Sequence, residues 1–529
     1  MNHHKVRNQN RLHRIQKGGK KRMKKFLLIT FIVIFSTVGL VSNSFGEQPK
    51  YGGILTRINP TGARVIGYYP EMGPQDSTEA LPVVECLMEM SEKRTMEPFL
   101  AERVDIDQNK KTMTFRLRKG IKFHDGSDLN AEVCAWNLQL VKDTKKMQFA
   151  DQVKSIEVVD DYTVVLHLTQ YHNQMRFAYG FTRMFSKAAY EKYGKEWCRT
   201  HPVATGAFKF VEWKRDAYLK YEKFDGYWQK GKPYLDGIET RYIPDPVTAS
   251  AMIQAKEADI WTNPPVKFQY ELEKKGFKRY SSWPALPILL YLNTKDPNRP
   301  TSKLKVREAI EYAIDKPAMA KAIGFGYYPP LKMVTPETEW GYDSDYPGRP
   351  YNPEKARKLL AEAGYPQGVK LKLLALAEVG GRNNTAEAVK AYLDEAGMTV
   401  DLDIADPGRF FSSVWGNGWD DLALFFSGLD ENYLGTFHAW FGHEPKTSLA
   451  SFKLPDELSK MSKESITYYT EAEQKAITKK LVRSMMDHAL AIPLYNQQVA
   501  YIYQPWVHTT YLQTGFIRWK WFDTWMEKH

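Results

Sequence analysis

Cysteine is scarce: the 529 residues contain only Cys86, Cys134 and Cys198. An odd number with no close spacing is neither a disulfide framework nor a thiolate metal site, so buried free thiols are expected, with Cys134 packed beside Val133 and Trp136 on a helix face. Catalytic spacing is missing as well, for there is no G-x-S-x-G elbow, H-E-x-x-H, C-x-x-C, Walker loop or G-x-G-x-x-G. The twelve histidines are scattered, and His167 and His172, within or beside a strand, are poorly placed to share a metal. No catalytic residue, metal site or cofactor is expected, although a triad assembled from distant residues would leave no motif. Acidic residues are absent from the first 46 positions, which hold ten of the 74 Lys and Arg; the other 64 face 62 acidic residues, a balance of +2 against +12 for the whole chain. The basic charge is a property of the leader, and nucleic-acid binding loses its electrostatic footprint.

In that leader Lys20, Lys21, Arg22, Lys24 and Lys25 precede an apolar run from Phe26 to Val41, 16 residues long, against the ~20 that a spanning helix needs. Ser44 and Gly46 fit the small-residue positions of a secretory cleavage site. Export through a cleavable signal peptide is expected, with cleavage after Gly46, a mature chain from Glu47 and a periplasmic location. No Cys follows the run to carry a lipid anchor. Met23 is an alternative start, which would make residues 1–22 superfluous.

The densest set of consistent signals lies in Thr112 to Val141, TMTFRLRKGIKFHDGSDLNAEVCAWNLQLV. Met113, Phe115 and Leu117 alternate with polar residues, the period of a strand with one buried face. His124-Asp125-Gly126 is a turn, and Asn130 caps a helix carrying Val133, Trp136, Leu140 and Val141 at helical spacing, with Glu132 in its first turn. Upstream, Gly52-Gly53 turns into a strand and a polar loop from Gln75 to Glu79 leads into an apolar helix between Pro82 and Met90. Downstream, Val158 to Leu168 alternates and bears an Asp-Asp turn, consistent with a further strand. From Ile288 the chain reads as helices around Val306 to Ile314, from Asp315 to Gly324 and from Asn352 to Gly364. A strand Val369 to Ala377, a helix Ala386 to Ala396, a strand Thr399 to Ile404, a helix near Phe410 to Val414 and a strand Leu422 to Phe426 follow. That alternation implies a mainly parallel sheet, whose ligands gather at the carboxyl ends of its strands.

Read as strings, several blocks point further. LRKGIKFHDG resembles the signature of the family 5 extracellular solute-binding proteins, the dipeptide-, oligopeptide- and nickel-binding receptors of ABC importers. HPVATGAFKF from His201 resembles that family's N-P-V-G-T-G-P-F-K-F crossing. Residues 224–261 and the strings VREAIEYAID and YNPEKARKLLAEAGYP follow its pattern too. The resemblance covers Tyr51 to about Trp506.

It implies an α/β, bilobal periplasmic-binding-protein-like fold of type II, cluster C, with an additional inserted domain. Lobe one would comprise 47–92, 204–287 and 490–529, the inserted domain 93–203 and lobe two 288–489. The lobes would close on a small solute, a peptide by first choice, and deliver it to the permease subunits of an ABC transporter. A monomer without nucleic-acid partners is expected. Asp430, beyond the last βαβ strand, matches the acidic position that holds a peptide amine in the family, and Arg382 resembles the basic position that pairs with a ligand carboxylate. Trp415, Tyr433 and Tyr495 are candidate cleft aromatics, with core packing as the alternative for each. A nickel chelate or oligosaccharide as ligand, a receptor feeding a membrane sensor, and an exported hydrolase stay open as other readings.

Overall fold

The computed structural model describes residues 48–91, 95–144, 150–281, 286–377, 382–428, 432–442, 449–509 and 520–527. The expected signal peptide and its cleavage after Gly46 lie outside them.

Three sheets organise the chain. The stretch from Thr112 to Val141 supplies the strand Thr112–Leu117 of a four-stranded antiparallel sheet, ordered Ala101–Asp107, Thr112–Leu117, Thr163–Leu168 and Val153–Asp160. The run from Val158, expected to add one strand, is a hairpin whose two strands are separated at the Asp-Asp turn. Helix Ala131–Asp143 covers the sheet, its first turn closed by Asn130, whose side chain accepts from the Val133 N–H. Met113, Phe115, Leu117, Cys134 and Leu138 form the core between them. The His124 turn docks on the His201 block: the His124 N–H donates to the Ala204 carbonyl, and Nε2 sits 2.9 Å from the Gly206 carbonyl oxygen. A Cβ at Gly206 would stand 2.4 Å from the Val83 carbonyl oxygen, so position 206 of that block is held to glycine. Two strings far apart in sequence therefore meet in one packing contact.

A seven-stranded sheet runs Phe208–Lys214, Tyr218–Lys223, Gly237–Tyr242, Ile54–Asn59, Ile260–Thr262, Ala500–Tyr503 and Lys278–Ser281. Ile54–Asn59 is parallel to both of its neighbours. The apolar helix expected between Pro82 and Met90 is not there. The helix is Pro74–Ala80, and Glu85–Cys86 and Met88–Met90 are short strands. The polar loop was the better helix start because Pro74 fits its first turn and the Asp76 carboxylate accepts the Gly73 N–H.

The five-stranded sheet runs Met398–Ala405, Val369–Leu376, Leu422–Phe426, Leu286–Leu292 and Ala491–Gln497. Its first three strands are parallel, and the last two join antiparallel. The sheet is mixed because Leu286–Leu292, which enters from the seven-stranded sheet by a direct crossing and not through a helix, runs antiparallel to both of its neighbours. Leu290, Leu292 and Leu424 pack on one face while Leu289, Tyr291 and Phe425 pack on the other. Cover on both faces is why these strands read as unbroken apolar runs. Ala491–Gln497 belongs to this sheet, so the chain passes to the seven-stranded sheet between Gln497 and Ala500, later than residue 490.

All three cysteines are free and buried. Among the described residues no helix is long and apolar enough to cross a membrane, and no three metal-ligating side chains converge. His201 stacks on Trp197 at 4.4 Å as a packing residue.

Candidate ligand-binding site

Register locates the site. In the seven-stranded sheet the parallel strands end at Asn59, Tyr242 and Thr262; Thr262 faces Tyr501, and Ala500 faces Ser281. In the five-stranded sheet Leu422–Phe426 ends where Phe426 faces Ile288, while Leu286 faces Gln497. The carboxyl ends of both sheets thus flank the same two crossings, Ser281 to Leu286 and Gln497 to Ala500. Open α/β sheets collect ligands at such ends.

On the seven-stranded side the rim carries a buried charge network. Arg57 Nη2 lies 2.5 Å from Glu79 Oε2, both side chains being buried. The guanidinium also donates to Thr240 Oγ1 at 2.9 and 3.1 Å. Asn59 Nδ2 donates to the other Glu79 oxygen, and the Tyr221 hydroxyl to the Glu79 carbonyl at 2.9 Å. Burial pushes the Glu79 carboxyl above the usual range, and the Arg57 charge opposes it. This network holds helix Pro74–Ala80 on the sheet and leaves one buried atom, Asn59 Oδ1, without a hydrogen-bond partner.

On the five-stranded side the rim is aromatic. Trp415 lies in the π-helical turn Ser413–Asn417, 39% exposed, with Trp440 at 5.5 Å and Phe425 at 6.5 Å. Phe411 is equally exposed and packs edge-on against Phe425.

A second seam joins the four-stranded sheet to the chain after Phe441. Asn173 Nδ2 donates to the Ser465 carbonyl and its N–H to the Ile466 carbonyl, both at 2.9 Å. Gln108 Nε2 donates to the Thr467 carbonyl at 3.2 Å, and the Tyr469 hydroxyl reaches the Ile106 carbonyl at the same distance.

The chain from residue 95 to 437 matches the family model described as bacterial extracellular solute-binding proteins, family 5, middle region. The glutathione-binding protein GsiB of Escherichia coli is 33% identical over 350 residues, 65% of this chain and 68% of the relative. The chain belongs to family 5 of the bacterial extracellular solute-binding proteins. The fold is likewise shared with solved structures. The periplasmic binding protein DppA of Helicobacter pylori, in complex with the peptide STSA, superposes with a TM-score of 0.76 at 22% identity, covering 92% of this chain and all of that one. NikA of Brucella suis, in complex with Fe(III)-EDTA, gives 0.77 at 20% identity, covering 88% of this chain and 97% of that one.

In this family 5 protein the site residues read from the sequence fall in different places. Asp430 lies outside the described residues. Arg382 opens helix Arg382–Glu395, beyond the carboxyl end of Val369–Leu376. Trp415 stands at the sheet end with part of its ring in solvent. Tyr433 is fully buried at the start of helix Tyr433–Phe441, and its hydroxyl donates to the Val334 carbonyl at 2.7 Å. Tyr495 is 1% exposed. It stacks on Tyr328 at 5.5 Å, its hydroxyl 2.7 Å from Thr385 Oγ1.

Sequence reasoning met Glu79 only as the end of the polar loop from Gln75, a loop that the family resemblance puts near the cleft, and passed over Arg57, Asn432, Ser427 and Asn496. Asn432 left a signal, an Asx residue before an apolar run, and its side chain caps the helix by accepting from the Gly435 N–H. The others left none, because they acquire meaning only through cross-strand partners.

Proposed function

We propose that the protein is the exported substrate-binding receptor of an ABC importer, capturing a small solute, a peptide by preference, and handing it to permease subunits at the membrane. Family membership with carboxyl ends of two sheets facing each other across two crossings is the observation that carries this reading. The division we propose is lobe one on the seven-stranded sheet, an inserted domain on the four-stranded sheet and lobe two on the five-stranded sheet. The crossings act as the hinge, with the return crossing after Gln497. Closure draws free energy from contacts made only when the lobes meet, and the seam from Asn173 to Ser465 is one of them.

Catalysis is not part of this function. Cleavage after Gly46, a periplasmic location and a monomeric state complete the reading. Peptide is favoured over a metal chelate because GsiB, a relative of this chain, is named for glutathione and the DppA structure holds a peptide. Asp430 and Arg382, which follow neighbouring strands in the sequence, would pair with the two termini of such a ligand. Native mass spectrometry of protein purified without refolding tests the proposal. Co-purified peptides with free termini are expected, whereas a sugar or a metal chelate would overturn the peptide assignment.

A further inference from the structure

At the carboxyl end of the five-stranded sheet, Asn496 is fully buried, yet neither Oδ1 nor Nδ2 has a hydrogen-bond partner. Ser427 is fully buried too, and its Oγ is unbonded. A buried amide with both ends unmet is costly, and such groups in native proteins call for an explanation.

The register places the two residues in one row. Asn496 faces Pro287 across one strand pair, and the Ser427 N–H donates to the Pro287 carbonyl at 2.9 Å on the other side. Directly opposed residues point to the same face. That face is the one on which Leu289 and Phe425 are buried. Asn496 would not reach it in a regular strand. Ile492, Leu494 and Tyr495 all pack on the opposite face, and the phase changes because the pairing shifts register between Ile288 and Leu289, where Ile288 faces Tyr495 and Leu289 faces Pro493. The extra residue is a β-bulge, a device that re-aims a side chain and recurs beside functional sites.

We infer that Asn496 and Ser427 form an amide-reading subsite for the ligand. The Asn496 side chain offers one acceptor and two donors in one plane, the complement of the C=O and N–H of a peptide unit. Ser427, two strands away and about 10 Å off, offers a hydroxyl to a second polar group, a spacing that an extended peptide spans in about three residues. The row lies at the sheet end beside both crossings, so opening of the lobes is what admits ligand to it. This assignment rests on the peptide-receptor reading and adds to it the residues that recognise the backbone.

The test pairs binding with stability. Calorimetric titration of the full mature chain uses tri-alanine and its two ester analogues, each lacking one peptide N–H. The unmutated protein is expected to bind the amide form at least about tenfold more tightly than one of the esters. Asn496→Leu, which matches the shape of the amide without its polarity, is expected to weaken tri-alanine binding about tenfold or more, to lose the discrimination, and to raise the thermal midpoint of the ligand-free protein. Ser427→Ala is expected to weaken binding without lowering that midpoint. If tri-alanine binds and both variants bind it as well as the unmutated chain, or if Asn496→Leu lowers the midpoint, the subsite assignment alone is overturned. Failure of the unmutated chain to bind tri-alanine or any other short peptide overturns the peptide reading and the subsite with it.

Discussion

Replacing Glu85 with glutamine should remove a pH dependence from the stability of this protein. Glu85 sits on the short strand Glu85–Cys86 and is 7% exposed. Its carboxyl group is met by the Tyr227 hydroxyl at 2.7 Å, the Thr205 hydroxyl at 2.9 Å and the Trp228 indole N–H at 3.0 Å. The nearby Lys520 pairs with Glu89 instead. Burial pushes the Glu85 carboxyl up to about 8, against these three donors and with help from the Glu89 charge. In the unfolded chain the group titrates near the ordinary 4.5. Between those values the folded protein holds a proton that the unfolded chain has released, so stability falls as pH rises from about 4.5 to 8 and is level below that window. At about 1.4 kcal/mol per pH unit the full displacement amounts to about 5 kcal/mol, an upper bound. Urea unfolding at pH 5, 6, 7 and 8 measures it. Across the series the unmutated protein should lose most of that amount relative to Glu85→Gln, which keeps the neutral shape, while the buried His124 and His172, whose pKa values burial lowers, act alike in both proteins. Parallel slopes for the two proteins would refute the reasoning.

Other consequences are quicker to check. Arg57→Met leaves the buried Glu79 carboxylate without its cation and should cost about 3–5 kcal/mol in chemical denaturation; a loss below about 1 kcal/mol would mean that the network relaxes freely. The thiols of Cys86, Cys134 and Cys198 are buried, and burial raises the Cys198 thiol to about 11. An aromatic disulfide reagent should therefore label none of them until the protein is unfolded, and fast labelling of the native state would contradict this packing. Trp415→Ala, at a ring that is 39% exposed, should weaken peptide binding about tenfold with little change in thermal midpoint. Unchanged affinity would remove Trp415 from the site.

Local signals in the sequence carried much of the fold. Asn130, Asp315, Asn352 and Thr470 each cap the helix that follows them, and the alternation at Met113, Phe115 and Leu117 corresponds to a strand with one buried face. Where two local readings competed, the sequence was ambiguous: the apolar stretch after Pro82 has the composition of a helix, but its residues are shared among short cross-strand pairs and turns. The mixed character of the five-stranded sheet was equally hidden, since nothing local tells a direct crossing from a βαβ connection. The site was less legible than the fold. Tyr433 and Tyr495 carry the same aromatic signature as Trp415, and only their buried hydroxyl partners distinguish packing from exposure. Asn496 looks like an ordinary strand end until a one-residue bulge turns it onto the face it shares with Ser427, and Arg57 meets Glu79 only through the docking of a separate helix.

The most direct measurement is calorimetric titration of the chain beginning at Glu47 with glutathione, di- and tripeptides and a nickel chelate, with each peptide recovered afterwards. The account predicts saturable binding of one peptide per protein, with a negative heat-capacity change from surface buried on closure and the peptide returned intact. A hydrolysed peptide, or saturation by the chelate alone, would contradict it.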